Sequence, residues 1–407
     1  MTTVARRIES LSLMAQIPIV DLRAQYRTVG EEIRHAIDGV LESQQFILGE
    51  EVERFEKEAA AYLGCREAIG VASGSDALLL ALMALGIGPD DAVLVPTFTF
   101  FATASAVARL GATPIFVDID PASYLISSDR VEAVVKERCT IDGAAFVEKH
   151  SGARIRAILP VHLFGAVCAM SELMPLAAEH RLRVVEDVAQ AFGARVELSK
   201  TLQAAGTIGD LGCFSFFPTK TLGGIGDGGL VATSQPELAE KIRLLRVHGE
   251  SSKYTHQLIG LNSRLDAIQA AVLRVKLRHA DRWCTDRIER ARRYRDLLLA
   301  TGLIGKELIH VPAAGSGKSH VFNYYVIRPR RRDELRAFLT QQGIQTEVYY
   351  PIPLHLQPCF AYLGYRAGDL PNAERAAAEV LALPLYPELS AEQQQTVIQM
   401  IAKFYRK

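Results

Sequence analysis

The stretch AIGVASGSDALLLALMALGIGPDDAVLV, residues 68–95, decides the fold. Ala68–Ala72 is a short apolar run of strand character. Ser73-Gly74-Ser75 then forms a Gly/Ser turn into a helical apolar segment, Ala77–Gly88, and Asp91–Val95 is strand-like again. Strand, turn, helix and strand in this order make the unit of a parallel sheet. The unit recurs outward to residue 235, with strand-like runs at Pro114–Asp118, Ile155–Pro160, Arg183–Glu186, Leu211–Phe216 and Leu230–Thr233. An α/β domain with a mostly parallel seven-stranded sheet follows, and its functional residues are expected at the strand ends.

Beyond this region, Leu265–Leu299 contains no Pro or Gly and carries apolar residues at helical spacing (Leu265, Ile268, Ala271, Val272, Val275), so it predicts one long helix. It leads into a smaller C-terminal α+β domain built from His320–Ile327, Asp333–Gln342, Thr346–Tyr350, Ala373–Leu381 and a last helix, Ala391–Phe404. The expected organisation is an N-terminal extension (1–16), a large domain with an N-terminal arm (17–260) and a small domain (261–407). Residues 136–154 are expected to form a surface elaboration.

At 407 residues the chain is too long for one ordinary core, which agrees with two domains. Lys plus Arg and Asp plus Glu are each 46, so no net field draws it to nucleic acid or an anionic bilayer, and a small-molecule partner is expected. Ala77–Gly88 is about a dozen residues, short of the roughly twenty that span a bilayer. Gln16, Pro18 and Asp21 break any signal-like apolar run. Cys65, Cys139, Cys168, Cys213, Cys284 and Cys359 show no metal-ligand spacing, so no metal is expected; isolated buried thiols in the cytoplasm are.

Two nucleotide-type motifs fail on context. Gly224-Ile-Gly226-Asp-Gly-Gly229 matches GxGxxG, but a strand-like run follows where a dinucleotide site needs a helix. Gly317-Lys318-Ser319 lacks the earlier glycine of a P-loop, since Pro312 stands there, and reads as an exposed loop.

A different constellation holds together. Ser73-Gly74-Ser75 opens a helix, and free N–H groups there suit a phosphate, although plain capping by Ser73 or Ser75 is an equal alternative. Asp187 ends a strand beside Glu186. In Cys213-Phe-Ser215-Phe-Phe-Pro218-Thr-Lys220-Thr-Leu-Gly223-Gly224, a strand delivers a serine and then a lysine into a glycine turn. Aromatic and glycine flanks would desolvate that amine and favour a nucleophile. An amine, a carboxylate, an anion site and a ring-stacking surface are what pyridoxal phosphate (PLP) chemistry requires.

With these residues in view, the chain closely resembles the DegT/StrS type of PLP-dependent sugar aminotransferase, of PLP fold type I, from about Ile17 to Pro387. The matching stretches are IPIVDL at 17, GSDALLLAL at 74, PTFTFFATA at 96, EDVAQAFGA at 186, SFFPTKTLGG at 215, GDGG at 226, LNSRLDAIQAA at 261 and YYPIPLHLQP at 349. The resemblance implies that Lys220 holds PLP as a Schiff base and then moves the proton. It implies that Asp187 keeps the ring nitrogen protonated, that Gln190 bonds the phenolic oxygen, and that Phe100 stacks on the ring. Gly74, Ser75 and Ser215 would bind the phosphate, with Asn262 reaching it from the second subunit of a homodimer. Arg264, Tyr349 and Tyr350 would meet a nucleotide-linked keto sugar.

The implied reaction is ping-pong transamination from an amino acid, L-glutamate, to the keto carbon. The motifs at 262 and 349 look more like branches aminating at C3 than at C4. Phe100 departs from the usual Tyr or Trp and Tyr349 from a frequent His, which leaves the role of Tyr349 open. Two rivals share the fold: a sugar dehydratase, which carries His in place of the lysine, and a non-catalytic regulator.

Overall fold

The computed structural model describes residues 16–142, 145–149 and 151–406, so the expected extension lies, apart from Gln16, outside the described residues. Seven strands make the central sheet: β1 (Glu67–Val71), β2 (Asp91–Pro96), β3 (Thr113–Val117), β4 (Arg154–Ile158), β5 (Arg183–Asp187), β6 (Leu211–Ser215) and β7 (Gly229–Thr233). Their order is β1-β7-β6-β5-β4-β2-β3. β7 runs antiparallel to both neighbours, and every other adjacent pair in this path is parallel. Mostly parallel sheets are covered on both faces, which is why β2 and β7 are buried along their whole length and mainly apolar, with Asp91 and Thr233 as polar ends.

The helix Gly74–Ala84 shows the same logic. Residues Ala77 through Leu82 are all buried, so the helix is apolar around its circumference because it is enclosed. Full burial of a leucine such as Leu80 or Leu82 contributes about 1.5–3 kcal/mol.

The segment 136–154 extends this sheet as a hairpin, Cys139–Asp142 with Ala145–Glu148, whose second strand pairs with β4. The long helix expected over 265–299 is two helices, Ala267–Leu277 and Ala280–Ala300. The break falls at Arg278 and His279 (φ −100°, ψ −7° at His279) with neither Pro nor Gly present, and the His279 ring stacks on Trp283 at 5.6 Å.

The C-terminal part holds a three-stranded antiparallel sheet, Ile309–His310, Tyr325–Pro329 and Leu381–Leu383, with helices Arg332–Gln341, Pro371–Glu379 and Ala391–Arg406. Residues 346–350 are not a strand; a single bridge joins Glu347 to Ala382. Ile17, at the start of the arm, pairs with Ile344. Of the cysteines, Cys359 is exposed and Cys65 half-buried, unlike the buried remainder. Lys318 forms an ion pair with Asp281 at 2.6 Å. Among the described residues no helix is long and apolar enough to cross a membrane.

Candidate active site

The carboxyl ends of β1, β2, β5 and β6 open onto a cleft of about 520 Å³ that gathers Gly74, Ser75, Phe100, Asp187, Gln190, Ser215, Lys220, Tyr349 and Tyr350. At one end, Ser73 Oγ accepts the Asp76 N–H at 3.1 Å and caps the helix Gly74–Ala84. The capping alternative therefore applies to Ser73, while Gly74 and Ser75 line the cleft on the first turn. β1 and β6 flank β7, which sets this turn against Ser215. The approach is so close that a Cβ on Gly74 would stand 2.5 Å from Ser215 Cβ, and one on Gly229 would stand 2.3 Å from the Ser73 carbonyl oxygen.

At the other end, strand alternation separates Glu186 from Asp187. Glu186 faces away and accepts the N–H groups of Gly206, Ile208 and Gly209 at 2.7–2.8 Å and His162 Nε2 at 2.8 Å, a purely structural knot. The Cys168 N–H aimed at His162 Nδ1 (3.1 Å) leaves that ring's proton on Nε2. Asp187 faces the cleft, 5% exposed. Its Oδ2 accepts the Thr103 hydroxyl at 2.9 Å and its Oδ1 the Ala189 N–H at 3.1 Å. Burial dominates and holds the carboxyl above its ordinary range, against the opposing pull of these two bonds and the nearby Lys220 charge. A buried carboxylate so disposed is a receptor for a cation.

Gln190 Oε1 accepts the Phe164 N–H at 2.7 Å, and Nε2 donates to the Tyr350 hydroxyl at 2.9 Å, which leaves the second Nε2 proton for another acceptor. Burial pushes the Tyr350 hydroxyl well above its ordinary range, so it stays neutral. Lys220 follows β6 in a tight turn: its N–H donates to the Phe217 carbonyl (2.9 Å) and the Gly224 N–H to that of Phe216 (2.7 Å). Its Nζ lies 5.9 Å from the centre of the Tyr324 ring. Tyr324 in turn stacks on Tyr349 at 4.1 Å, and the half-exposed Phe100 ring lies 5.9 Å from that of Tyr350.

Sequence reading missed Thr103 and Tyr324. Thr103 had a weak signal, a hydroxyl on the first turn after β2; Tyr324 had none. Asn262 and Arg264 do not line this cleft within one chain. Asn262 is exposed and does not cap the following helix, whose N-cap is Asp266.

PLP fits these residues. Its phosphate suits the helix start, where a cradle too tight for any Cβ lies beside a serine. Its basic ring nitrogen suits the buried acid, its aldehyde an amine, and its flat ring Phe100. The sequence profile of the DegT/DnrJ/EryC1/StrS aminotransferase family matches residues 27–402. The chain is 47% identical over 390 residues to the pleiotropic regulatory protein of Geobacillus stearothermophilus, covering 96% of this chain and 99% of that one. It is 43% identical over 377 residues to the UDP-N-acetyl-3-dehydro-alpha-D-glucosamine 3-aminotransferase of Acidithiobacillus ferrooxidans, covering 93% and 95%. The structure of NtdA from Bacillus subtilis, with the cofactor PMP bound, matches with a TM-score of 0.83 at 31% identity, covering 97% of this chain and 85% of that one. Fold, cleft and similarity thus agree that the chain belongs to the DegT/DnrJ/EryC1/StrS aminotransferase family and is a PLP-dependent aminotransferase.

Proposed function

We propose that the protein transfers the amino group of an amino acid, L-glutamate, to C3 of a nucleotide-diphosphate 3-keto sugar. The observation that carries this reading is the single cleft in which an amine (Lys220), a buried acid (Asp187) and a helix-start anion site (Gly74, Ser75, Ser215) meet under aromatic side chains. Bound there, PLP supplies an electron sink for the carbon that loses its proton.

The chain's residues do the rest. Lys220 holds the cofactor covalently and, once released, carries the proton between carbons in both half-reactions. Asp187, anchored by Thr103 and Ala189, is a fixed negative charge that keeps the ring nitrogen protonated. The free Nε2 proton of Gln190 is directed to the phenolic oxygen. Gly74, Ser75 and Ser215 hold the phosphate, and Phe100 covers the ring. Tyr349 and Tyr350 meet the sugar.

Asn262 and Arg264 are contributed by a second copy of the chain in a homodimer. This accounts for their absence from the lining of their own chain's cleft and for the exposed apolar side chains Phe46, Ile47, Ile225 and Ile259 nearby in sequence or by pairing with that segment. The Arg264 fork suits the diphosphate or another anionic group of the substrate. Amination at C3 is supported by the motifs at 262 and 349 and by the name of the Acidithiobacillus relative.

Incubation with glutamate and a panel of UDP-, dTDP- and GDP-linked keto sugars tests the reading, with NMR of the product. Nitrogen on C3 is expected; nitrogen on C4 with 3-keto sugars untouched would replace C3 by C4 and leave transamination standing. The Geobacillus relative's name favours a regulatory alternative. Failure of every sugar in the panel, with no amine exchange from glutamate, would support it.

A further inference from the structure

The glycines of Gly224-Ile-Gly226-Asp-Gly-Gly229, which make no dinucleotide site, still require a reason, and the helix Ala267–Leu277 supplies one. Gln269 and Lys276 stand seven residues apart on it, two turns along one face. Both reach into the turn that follows Lys220. Gln269 Oε1 accepts the Ile225 N–H at 2.9 Å. A Cβ on Gly224 would stand 2.6 Å from that oxygen, and one on Gly226 2.8 Å from Gln269 Nε2, so the turn accepts the amide only because it lacks side chains there. Lys276 Nζ donates to the Gly223 carbonyl at 2.7 Å. One helix therefore grips the backbone at 223 and 225, three and five residues beyond Lys220.

Lys276 is an expensive residue to place here. It is 5% exposed, and among the described residues no carboxylate lies at ion-pair distance; Glu388 acts on it from farther away. Burial draws its ammonium down to about 8, which records that desolvation. A buried cation without a close partner opposes folding, whereas an unbranched apolar side chain of similar length carries no charge to desolvate. Stability alone gives no reason for a lysine. The bond to Gly223 does.

We propose that Gln269 and Lys276 are positioning residues for Lys220, bracing the glycine turn so that the amine is presented to the cleft in one orientation. The inference rests on the reading of Lys220 as the residue that holds the cofactor. Without the brace the turn samples other conformations, and the amine meets the reacting carbon less often; a misplacement of about 1 Å can lower a rate by on the order of a hundredfold.

The test uses Lys276→Met and Gln269→Leu, with Gln269→Glu as the conservative variant that keeps the accepting oxygen. Three quantities are read: amide hydrogen exchange of the cofactor-free protein, the rate at which that protein captures added PLP, and kcat against KM. The expected result in both disruptive variants is exchange faster by about tenfold in peptides covering 217–226, the effect of one lost hydrogen bond. Exchange in β2 and β3 should stay as in the parent, and the melting temperature should not fall, since Lys276→Met also removes a desolvated charge. Covalent capture of PLP and kcat should each fall by about tenfold with KM nearly unchanged, the signature of misplacement without lost binding. Gln269→Glu should restore most of both. Unchanged exchange and capture in both variants would overturn the proposal. So would loosening across the whole sheet with a lower melting temperature, which marks a merely structural role. A loosened turn with capture unaffected would also overturn it; if borohydride then labels another lysine, the failure lies in the reading of Lys220.

Discussion

Thr103 Oγ1 donates to Asp187 Oδ2 at 2.9 Å, with both side chains buried. A hydroxyl on the helix after β2 thereby fixes the acid at the end of β5. A hydrogen bond to a charged group contributes about 1.5–3 kcal/mol. Thr103→Val keeps the shape and deletes the donor, so kcat should fall by about tenfold to a hundredfold, while Thr103→Ser should stay near the parent. Equal rates for Val and Ser would remove Thr103 from the site's machinery.

Asp187 links activity to stability. Burial holds its carboxyl above the ordinary value, so in the cofactor-free protein its contribution to stability is present in acid and is lost as pH rises through the folded value. At neutral pH the charged form therefore opposes folding. Asp187→Asn should raise the melting temperature of the cofactor-free protein at neutral pH, and the gain should vanish below the ordinary carboxylate range. Turnover should drop by on the order of a hundredfold or more, since a fixed charge aimed at the reacting system is lost. A lower melting temperature at neutral pH, or parental turnover, would contradict this.

Gly74 leaves no room for a side chain, with Ser215 Cβ 2.5 Å from the position of an added Cβ. Gly74→Ala should destabilise the protein by about 1–3 kcal/mol. It should also weaken PLP binding by pushing Ser215 away from the helix start. Calorimetry of PLP binding by the cofactor-free variant checks this, and parental affinity would show that the helix start is not the phosphate site.

Much of this was legible in the sequence because its signals are local. Short β-branched runs separated by helical segments gave the seven strands, and Lys220 and Asp187 each stand directly after or at the end of one. Contacts made across the fold were not legible. Tyr324 reaches Lys220 from just before the strand Tyr325–Pro329, and nothing near residue 324 announces it. The break at His279 has no Pro or Gly to mark it. The glycines at 224 and 226 read as a loop motif because their reason, Gln269, lies more than forty residues away.

The shared site can be tested by mixing chains. Lys220→Ala and Arg264→Ala should each be impaired alone. After subunit exchange they should recover about a quarter of parental activity, because half of randomly formed dimers are hybrids and each holds one intact site of two. No recovery despite proven exchange would place Arg264 outside a shared site.

Lys220 is proposed to hold the cofactor. The holoenzyme should absorb visible light, lose that absorbance on addition of borohydride, and give one modified peptide on digestion, the one containing Lys220. Recovery of the label on any other lysine, or retention of normal turnover by Lys220→Ala, would contradict the account.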